Sequence, residues 1–235
     1  MIDKLAAQPL KSHPGTRFEY GLSQDVLARM VEVVSGQSFD EFIKERILDP
    51  LNMPDTGFYV PKQNATRLVK MPATSTKGRK SRQSSSKDPY LSPPVILGGG
   101  SGLVSSTMDY LHFCQMLLNG GELDGKRILG RKSVELMRAN HMGDVAEKTS
   151  GKSAGHEFQF GLTFGVRGKP GDRGELGSEG SYYWAGAYGT TFWIDPKENL
   201  VGVFVVNGVN KEKNNYLSYD MYMPMQPISF GTRSA

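Results

Sequence analysis

At 235 residues, with 38% hydrophobic and 22% charged content, the chain is long enough for one large domain or two small ones and has an ordinary globular composition. No apolar run approaches the roughly 20 residues needed to span a bilayer, Met1–Leu5 opens on amphipathic sequence rather than a signal peptide, and a single cysteine excludes an intrachain disulfide. The net charge of +4 comes from one stretch, residues 77–87, which carries five Lys/Arg and no acid and leaves −1 for the rest of the chain. Without interleaved aromatics or a recognition motif, that stretch reads as a solvated loop and not as a nucleic-acid surface.

In chain order, residues 9–16 are rich in turn formers and Arg17–Tyr20 reads as a short extended entry. Val26, Leu27, Met30, Val31 and Val34 recur at helical spacing, which predicts a helix N-capped by Ser23 and stopped at Gly36. A second helix should open on a Ser38/Glu41 capping box, bury Phe39, Phe42, Ile43 and Ile47, and end at Pro50. Residues 61–94 shift to Lys, Ser, Thr and Pro with little hydrophobic periodicity and read as a long, partly mobile surface loop.

The glycine run 98–102 precedes a helix capped by Ser106 or Thr107 that turns Tyr110, Leu111, Cys114, Leu117 and Leu118 inward and ends at Asn119–Gly121. Cys114 on that face reads as a small buried hydrophobe. A further short helix is expected over 131–140. Beyond residue 156 the pattern changes to strand: Phe158, Phe160, Leu162, Phe164 and Val166 alternate, which predicts one half-buried strand. Two more strands follow at 189–195 and 200–206, joined by a tight connector at 195–199, so an antiparallel meander is expected. Helices first and strands afterwards is an α+β order. It divides into a mainly helical region (1–155), a sheet region (156–210) and a tail (211–235) with no readable pattern.

Several chemistries fail at the level of spacing. Gly151-Lys152-Ser153 ends like a phosphate-binding loop, but Ala146 occupies the place of its first glycine. His156-Glu157 lacks the second histidine of a zinc helix, and His13, His112, His141 and His156 show no ligand spacing, so neither metal nor cofactor is expected. The glycines around Ser101 miss the last one of a nucleophile elbow, and none follows a strand as a dinucleotide fingerprint requires.

Three stretches, in order, carry a resemblance. Residues 14–56 (PGTRFEYGLSQDVLARM…LNMPDT), 98–129 (GGGSGLVSSTMDYLHFCQMLLNGGELDGKRIL) and 182–207 (YYWAGAYGTTFWIDPKENLVGVFVVN) resemble the second motif, the glycine-rich turn with its helix, and the third motif of the penicillin-recognising serine hydrolases: class C β-lactamases, D-Ala-D-Ala carboxypeptidases and family VIII esterases. The resemblance implies an α+β, β-lactamase/transpeptidase-like fold with an antiparallel sheet, flanking helices and a helical region. It also implies acyl transfer, in which a Ser of a Ser-x-x-Lys motif attacks a carbonyl, Lys and Tyr handle its proton, and backbone N–H groups hold the oxyanion.

Carried over residue by residue, Tyr20 matches the second-motif tyrosine, while Leu22 stands where the family has an asparagine. Trp184, Ala185 and Gly186 stand where β-lactamases have Lys-Thr-Gly, and the resemblance makes the Ala187 N–H an oxyanion donor. Trp184 and Leu22 remove groups that would grip a β-lactam and its acyl side chain, so an ester or amide is the expected substrate.

The nucleophile motif should lie well upstream of Tyr20. The literal match, Ser84-Ser85-Ser86-Lys87, sits in a low-complexity run just before Asp88-Pro89 and reads as chance, because Ser and Lys need a helical turn to meet. The expectation is therefore a chain in which the N-terminal strands and the nucleophile helix are missing. It should be inactive by itself and exposed along an apolar surface that a complementing N-terminal segment or a homo-oligomer would cover. Export to the periplasm or outside the cell is what the resemblance implies for compartment.

Overall fold

The computed structural model describes residues 2–69, 89–143, 145, 159–170, 177–186 and 189–205. The basic stretch 77–87 with Ser84–Lys87, the segments Gly151–Ser153 and His156–Phe158, the proposed oxyanion donor Ala187 and the tail 211–235 lie outside those residues.

The C-terminal half is built as a meander because its sequence alternates. Strands β3 (Gln159–Phe160), β4 (Gly165–Val166), β5 (Tyr182–Ala185), β6 (Thr191–Asp195) and β7 (Leu200–Phe204) form one antiparallel sheet in simple sequential order. Tyr182 faces Ile194 and Trp184 faces Phe192 across β5 and β6, so these four side chains share a face. On the opposite face Tyr183 pairs with Trp193. Their rings lie over Gly165 and Gly202, positions where a Cβ would meet the neighbouring ring, so each glycine makes room for a cross-strand aromatic. The β6–β7 turn is pinned by the Asp195 carboxylate, which accepts from the N–H groups of Lys197 and Glu198 at 3.0 and 3.2 Å and from Ser178 at 3.1 Å.

Helix α4 (Thr107–Leu118) lies across the inner face of β6 and β7. Ser106 caps it, its Oγ accepting from the Asp109 N–H at 3.2 Å. Cys114, Met116 and Leu117 are fully buried, and Tyr110 packs on Phe192 with ring centroids 5.3 Å apart. Removing side chains of this size from water contributes about 1.5–3 kcal/mol each, which makes α4 against the sheet the centre of the core. Met116, absent from the expected inward set, belongs to it as well.

A chain reversal after α4 carries the short hairpin β1 (Glu122–Leu123) and β2 (Lys126–Arg127) and then α5 (Arg131–Met137). Ahead of the core lie α1 (Ile2–Ala6), α2 (Ser23–Ser35) and α3 (Phe39–Ile43). Helix α3 widens into a π turn at Lys44–Leu48 before ending at Asp49–Pro50. The wider turn delivers Leu48, Leu51 and Met53 to the core.

The structure corrects the sequence expectations in three places. The single strand expected across 158–166 is two short strands, β3 and β4, folded on each other. Gly161 causes the break: a Cβ there would overlap the Met137 carbonyl oxygen, and the Gly161 N–H donates to the Phe164 carbonyl to close the turn. Ser23 is the first residue of α2 and Leu22 occupies the cap position, with no side-chain cap bond. The Ser38/Glu41 pair bonds side chain to side chain at 2.8 Å and Ser38 makes no side-chain bond to the helix backbone; the Phe39 N–H donates to Glu32 Oε1 at 3.2 Å. The apolar residues of α2 are largely uncovered among the described residues: Leu27, Met30 and Val34 are exposed, and Ala28 is the buried residue of the helix.

Candidate functional site

Tyr20 and the β5 strand are 164 residues apart in sequence and meet in space. The Tyr20 ring stacks on Trp184, with centroids 6.2 Å apart and planes 18° apart. Tyr20 sits in the extended segment before α2, 74% exposed, held at its back by the charged pairs of Glu19 with Lys11 and Arg17. Its hydroxyl has no hydrogen-bond or ion partner among the described residues. Leu22, at the family's asparagine position, is half exposed two residues on.

The rest of the wall is aromatic. Trp184 meets Phe160 of β3 edge-on, centroids 5.3 Å apart and planes at 75°, and Phe160 packs on Phe18 at 5.1 Å. Phe18, Phe160, Trp184 and Tyr20 thus form a continuous row. Each aromatic–aromatic contact adds roughly 0.5–1.5 kcal/mol beyond its burial, so the row fixes the position of an otherwise exposed loop. Neither Phe18 nor Phe160 was singled out as a site residue from the sequence. A signal existed for Phe18: it lies two residues before Tyr20 in an extended segment, where alternate side chains share a face.

The end of β5 is set by its own turn. The Gly186 N–H donates to the Thr190 carbonyl at 2.7 Å, the Gly189 N–H donates to the Gly186 carbonyl at 3.0 Å, and the Thr191 hydroxyl donates to the Trp184 carbonyl at 3.1 Å. A Cβ on Gly186 would meet the Thr190 hydroxyl, so a larger residue here would force that side chain to turn away. Ala185 pairs in register with Thr191. Trp184, Ala185 and Gly186 are therefore held on the β6 side by the ladder and the turn, while Ala187 lies outside the described residues.

The glycine-rich run joins the same region. Asp25, in the first turn of α2, accepts from the Gly99 N–H at 3.1 Å, and a Cβ on Gly99 would overlap the Gln24 carbonyl. The run is thus pressed against the start of the helix that follows Tyr20. Behind it, the buried Asp109 carboxylate accepts from the Asp55 N–H and the Thr56 hydroxyl, each at 2.8 Å, tying the 53–58 turn to α4. Among the described residues no group of three or more His, Cys, Asp or Glu is gathered as a metal site would need.

A β-lactamase family model matches residues 1–220. The chain belongs to the β-lactamase family. Within it, the chain is 35% identical over 207 residues to Protein Rv1367c of Mycobacterium tuberculosis, covering 86% of this chain and 51% of that protein. It is 27% identical over 239 residues to a lovastatin esterase of Penicillium rubens, covering 89% of this chain and 55% of the esterase. Among solved structures, EstCE1, a hydrolase with promiscuous acyltransferase activity, superposes with a TM-score of 0.71 at 23% identity, over 93% of this chain and 58% of that one. This β-lactamase-family chain spans about half the length of the curated relatives it matches. The fold is the β-lactamase/transpeptidase-like one, with antiparallel sheet and flanking helices.

Proposed function

We propose that this chain supplies two walls of an acyl-transfer cleft acting on a small ester or amide, and that the nucleophilic serine comes from a segment outside the residues described. In this reading the serine Oγ attacks the substrate carbonyl and passes its proton towards Tyr20 and the motif lysine. The oxyanion forms against the end of β5, with the Ala187 N–H as one donor. The leaving alcohol or amine takes up the proton, and water then hydrolyses the acyl-enzyme. Trp184 in place of a lysine removes the cation that would grip a β-lactam carboxylate, and Leu22 removes an amide, so an esterase or carboxypeptidase-like activity is favoured over penicillin hydrolysis. The single observation that supports this most is the stack of Tyr20 on Trp184.

The chain by itself is expected to be inactive. With p-nitrophenyl butyrate and nitrocefin it should show no turnover, and turnover that Tyr20→Phe abolished would overturn the external nucleophile. When the chain is joined to an upstream Ser-x-x-Lys segment, ester hydrolysis should appear and fall by about 10²–10⁴-fold in Tyr20→Phe, the usual range for losing a positioned proton carrier. An unchanged rate would remove Tyr20 from the mechanism.

One observation favours a second reading, a non-catalytic binding or assembly module. A phenol serves as a base only when cations beside it lower its pKa, and no Lys or Arg pairs with the Tyr20 hydroxyl among the described residues. In that case the joined protein binds ester analogues without turning them over. In both readings the exposed face of α2 and the outer edge of β7, unpaired among the described residues, are covered by an N-terminal complementing segment, or failing that by a second copy. A chain that sediments as a monomer at high concentration would argue against the second copy.

A further inference from the structure

Helix α2 has few anchors at the end that carries Tyr20. Gly21 and Leu22 link the tyrosine to Ser23, the first residue of the helix; Leu22 is half exposed, and the cap position makes no side-chain bond. Among the described residues, Asp25 is the residue of the first two turns whose side chain hydrogen-bonds another element. Its Oδ1 accepts from the Gly99 N–H at 3.1 Å and, more weakly, from the Gly100 N–H at 3.5 Å. The backbones meet closely beside this bond. A Cβ on Gly99 would lie 2.0 Å from the Gln24 carbonyl oxygen and 3.0 Å from the Cβ of Ala28, the buried residue of α2. Gly99 is not in the left-handed region, so glycine serves here to make space and not to reach a special conformation.

The glycine run is itself fastened to the body that carries Trp184. Just beyond it, the Gly57 and Val104 backbones exchange hydrogen bonds of 3.0 and 2.8 Å. Ser106 then caps α4, and Tyr110 of α4 packs on Phe192, which pairs with Trp184 across β5 and β6. Tyr20 therefore belongs to a closed circuit of contacts. One arm is its stack on Trp184, supported upstream by Phe18 on Phe160. The other arm runs through the first turn of α2, the Asp25 bond, the glycine run and α4, and returns to the same strand. A 74% exposed ring on a short linker would swing if one stack alone held it. The second arm removes that freedom.

We propose that Asp25 is a positioning residue for Tyr20: by holding the glycine run against the first turn of α2, it sets the segment 20–22 so that the Tyr20 ring stays on Trp184. Asp25 does not touch the cleft's reacting atoms in this assignment; it acts through the backbone that follows Tyr20. Two features of the bond define what it requires. It is an acceptor bond to backbone N–H groups, and both contacts fall on the same oxygen, so one correctly placed oxygen is sufficient. A negative charge in the first turn also favours a helix by itself, and the amide variant separates that effect from the bond to the run. The consequence for catalysis rests on the reading of Tyr20 as a proton carrier; the placement of the ring does not.

Fluorine NMR of the full chain grown with 3-fluorotyrosine tests the assignment without turnover. Of the ten tyrosine signals, the one that Tyr20→Phe removes is Tyr20, and Trp184→Leu gives its position once the stack is lost. In Asp25→Ala the Tyr20 signal should move to that unstacked position, while the signals of Tyr110 and Tyr182, packed in the core, stay in place and show that the fold is kept. Gly99→Ala, whose added Cβ pushes the run off Gln24, should give the same loss with the carboxylate intact. Asp25→Asn should keep the native signal, because the amide retains an oxygen. Should Asp25→Ala also scatter the core signals, Gly99→Ala and Asp25→Asn decide. An unmoved Tyr20 signal in both Asp25→Ala and Gly99→Ala overturns the proposal. So does an Asp25→Asn chain that loses the stack, which would make charge at the helix end the holding force. In the protein joined to an upstream Ser-x-x-Lys segment, Asp25→Ala should lower kcat for ester hydrolysis by up to about 100-fold with KM little changed. A moved Tyr20 signal with unchanged hydrolysis would remove Tyr20 from the chemistry and leave Asp25 as the residue that places it.

Discussion

Helices α2 and α4 are nearly equal in length, 13 and 12 residues, and both carry apolar side chains at helical spacing, yet they have opposite fates. Helix α4 lies on the sheet and buries Cys114, Met116 and Leu117. Helix α2 buries Ala28 and leaves Met30 55% and Val34 85% exposed. Periodicity establishes that a helix has an apolar face; it does not establish that a partner for that face lies within the same stretch of chain. The exposed face of α2 follows directly on Tyr20 in the chain, so the surface uncovered among the described residues adjoins the proposed cleft.

Substitutions on the two helices can break this contrast. Leu117→Ala should cost about 2–5 kcal/mol in urea unfolding, the transfer loss plus the cavity left behind. Asp109→Ala should cost about 1–3 kcal/mol, because the Asp55 N–H and the Thr56 hydroxyl lose their shared acceptor. Ser106→Ala should cost about 1 kcal/mol through loss of the α4 cap. Val34→Ala and Met30→Ala in α2 should stay within about 0.5 kcal/mol of the native chain. A loss above that from the α2 pair would mean that the face is covered in solution, and concentration-dependent melting would identify a second copy as the cover.

Cys114 sharpens the contrast from the other side. Burial pushes its thiol up to about 12 from 9.0, so the folded chain keeps a proton that the unfolded chain releases. The corresponding stability is fully present below about pH 9 and is lost as pH climbs towards about 12. Cys114→Ala should therefore show a flatter alkaline limb in pH-dependent unfolding, and the native thiol should react with a disulfide reagent only as fast as α4 opens.

Much of the fold could be read from local pattern. The α4 face, its Ser106 cap, the Gly36 stop of α2 and the β6–β7 hairpin all rest on contacts between residues close in sequence, and each follows from spacing and turn chemistry. The reading failed where a distant backbone decided the outcome. Gly161 breaks the 158–166 alternation because the Met137 carbonyl occupies the place of its Cβ. The Ser38/Glu41 pair bonds side chain to side chain and not to the helix backbone, while the Phe39 N–H donates to Glu32 of the preceding helix.

The candidate site divides the same way. The sequence by itself singled out Tyr20, Leu22 and Trp184–Ala187, since motif residues keep their order along the chain. It could not supply the stack of Tyr20 on Trp184 or the continuation of that row through Phe160 to Phe18, because side chains more than a hundred residues apart become neighbours only when a sheet sets their register. Nor could it reveal that the buried Tyr182 hydroxyl has no hydrogen-bond partner among the described residues, since whether a buried polar group finds one depends on every element packed around it.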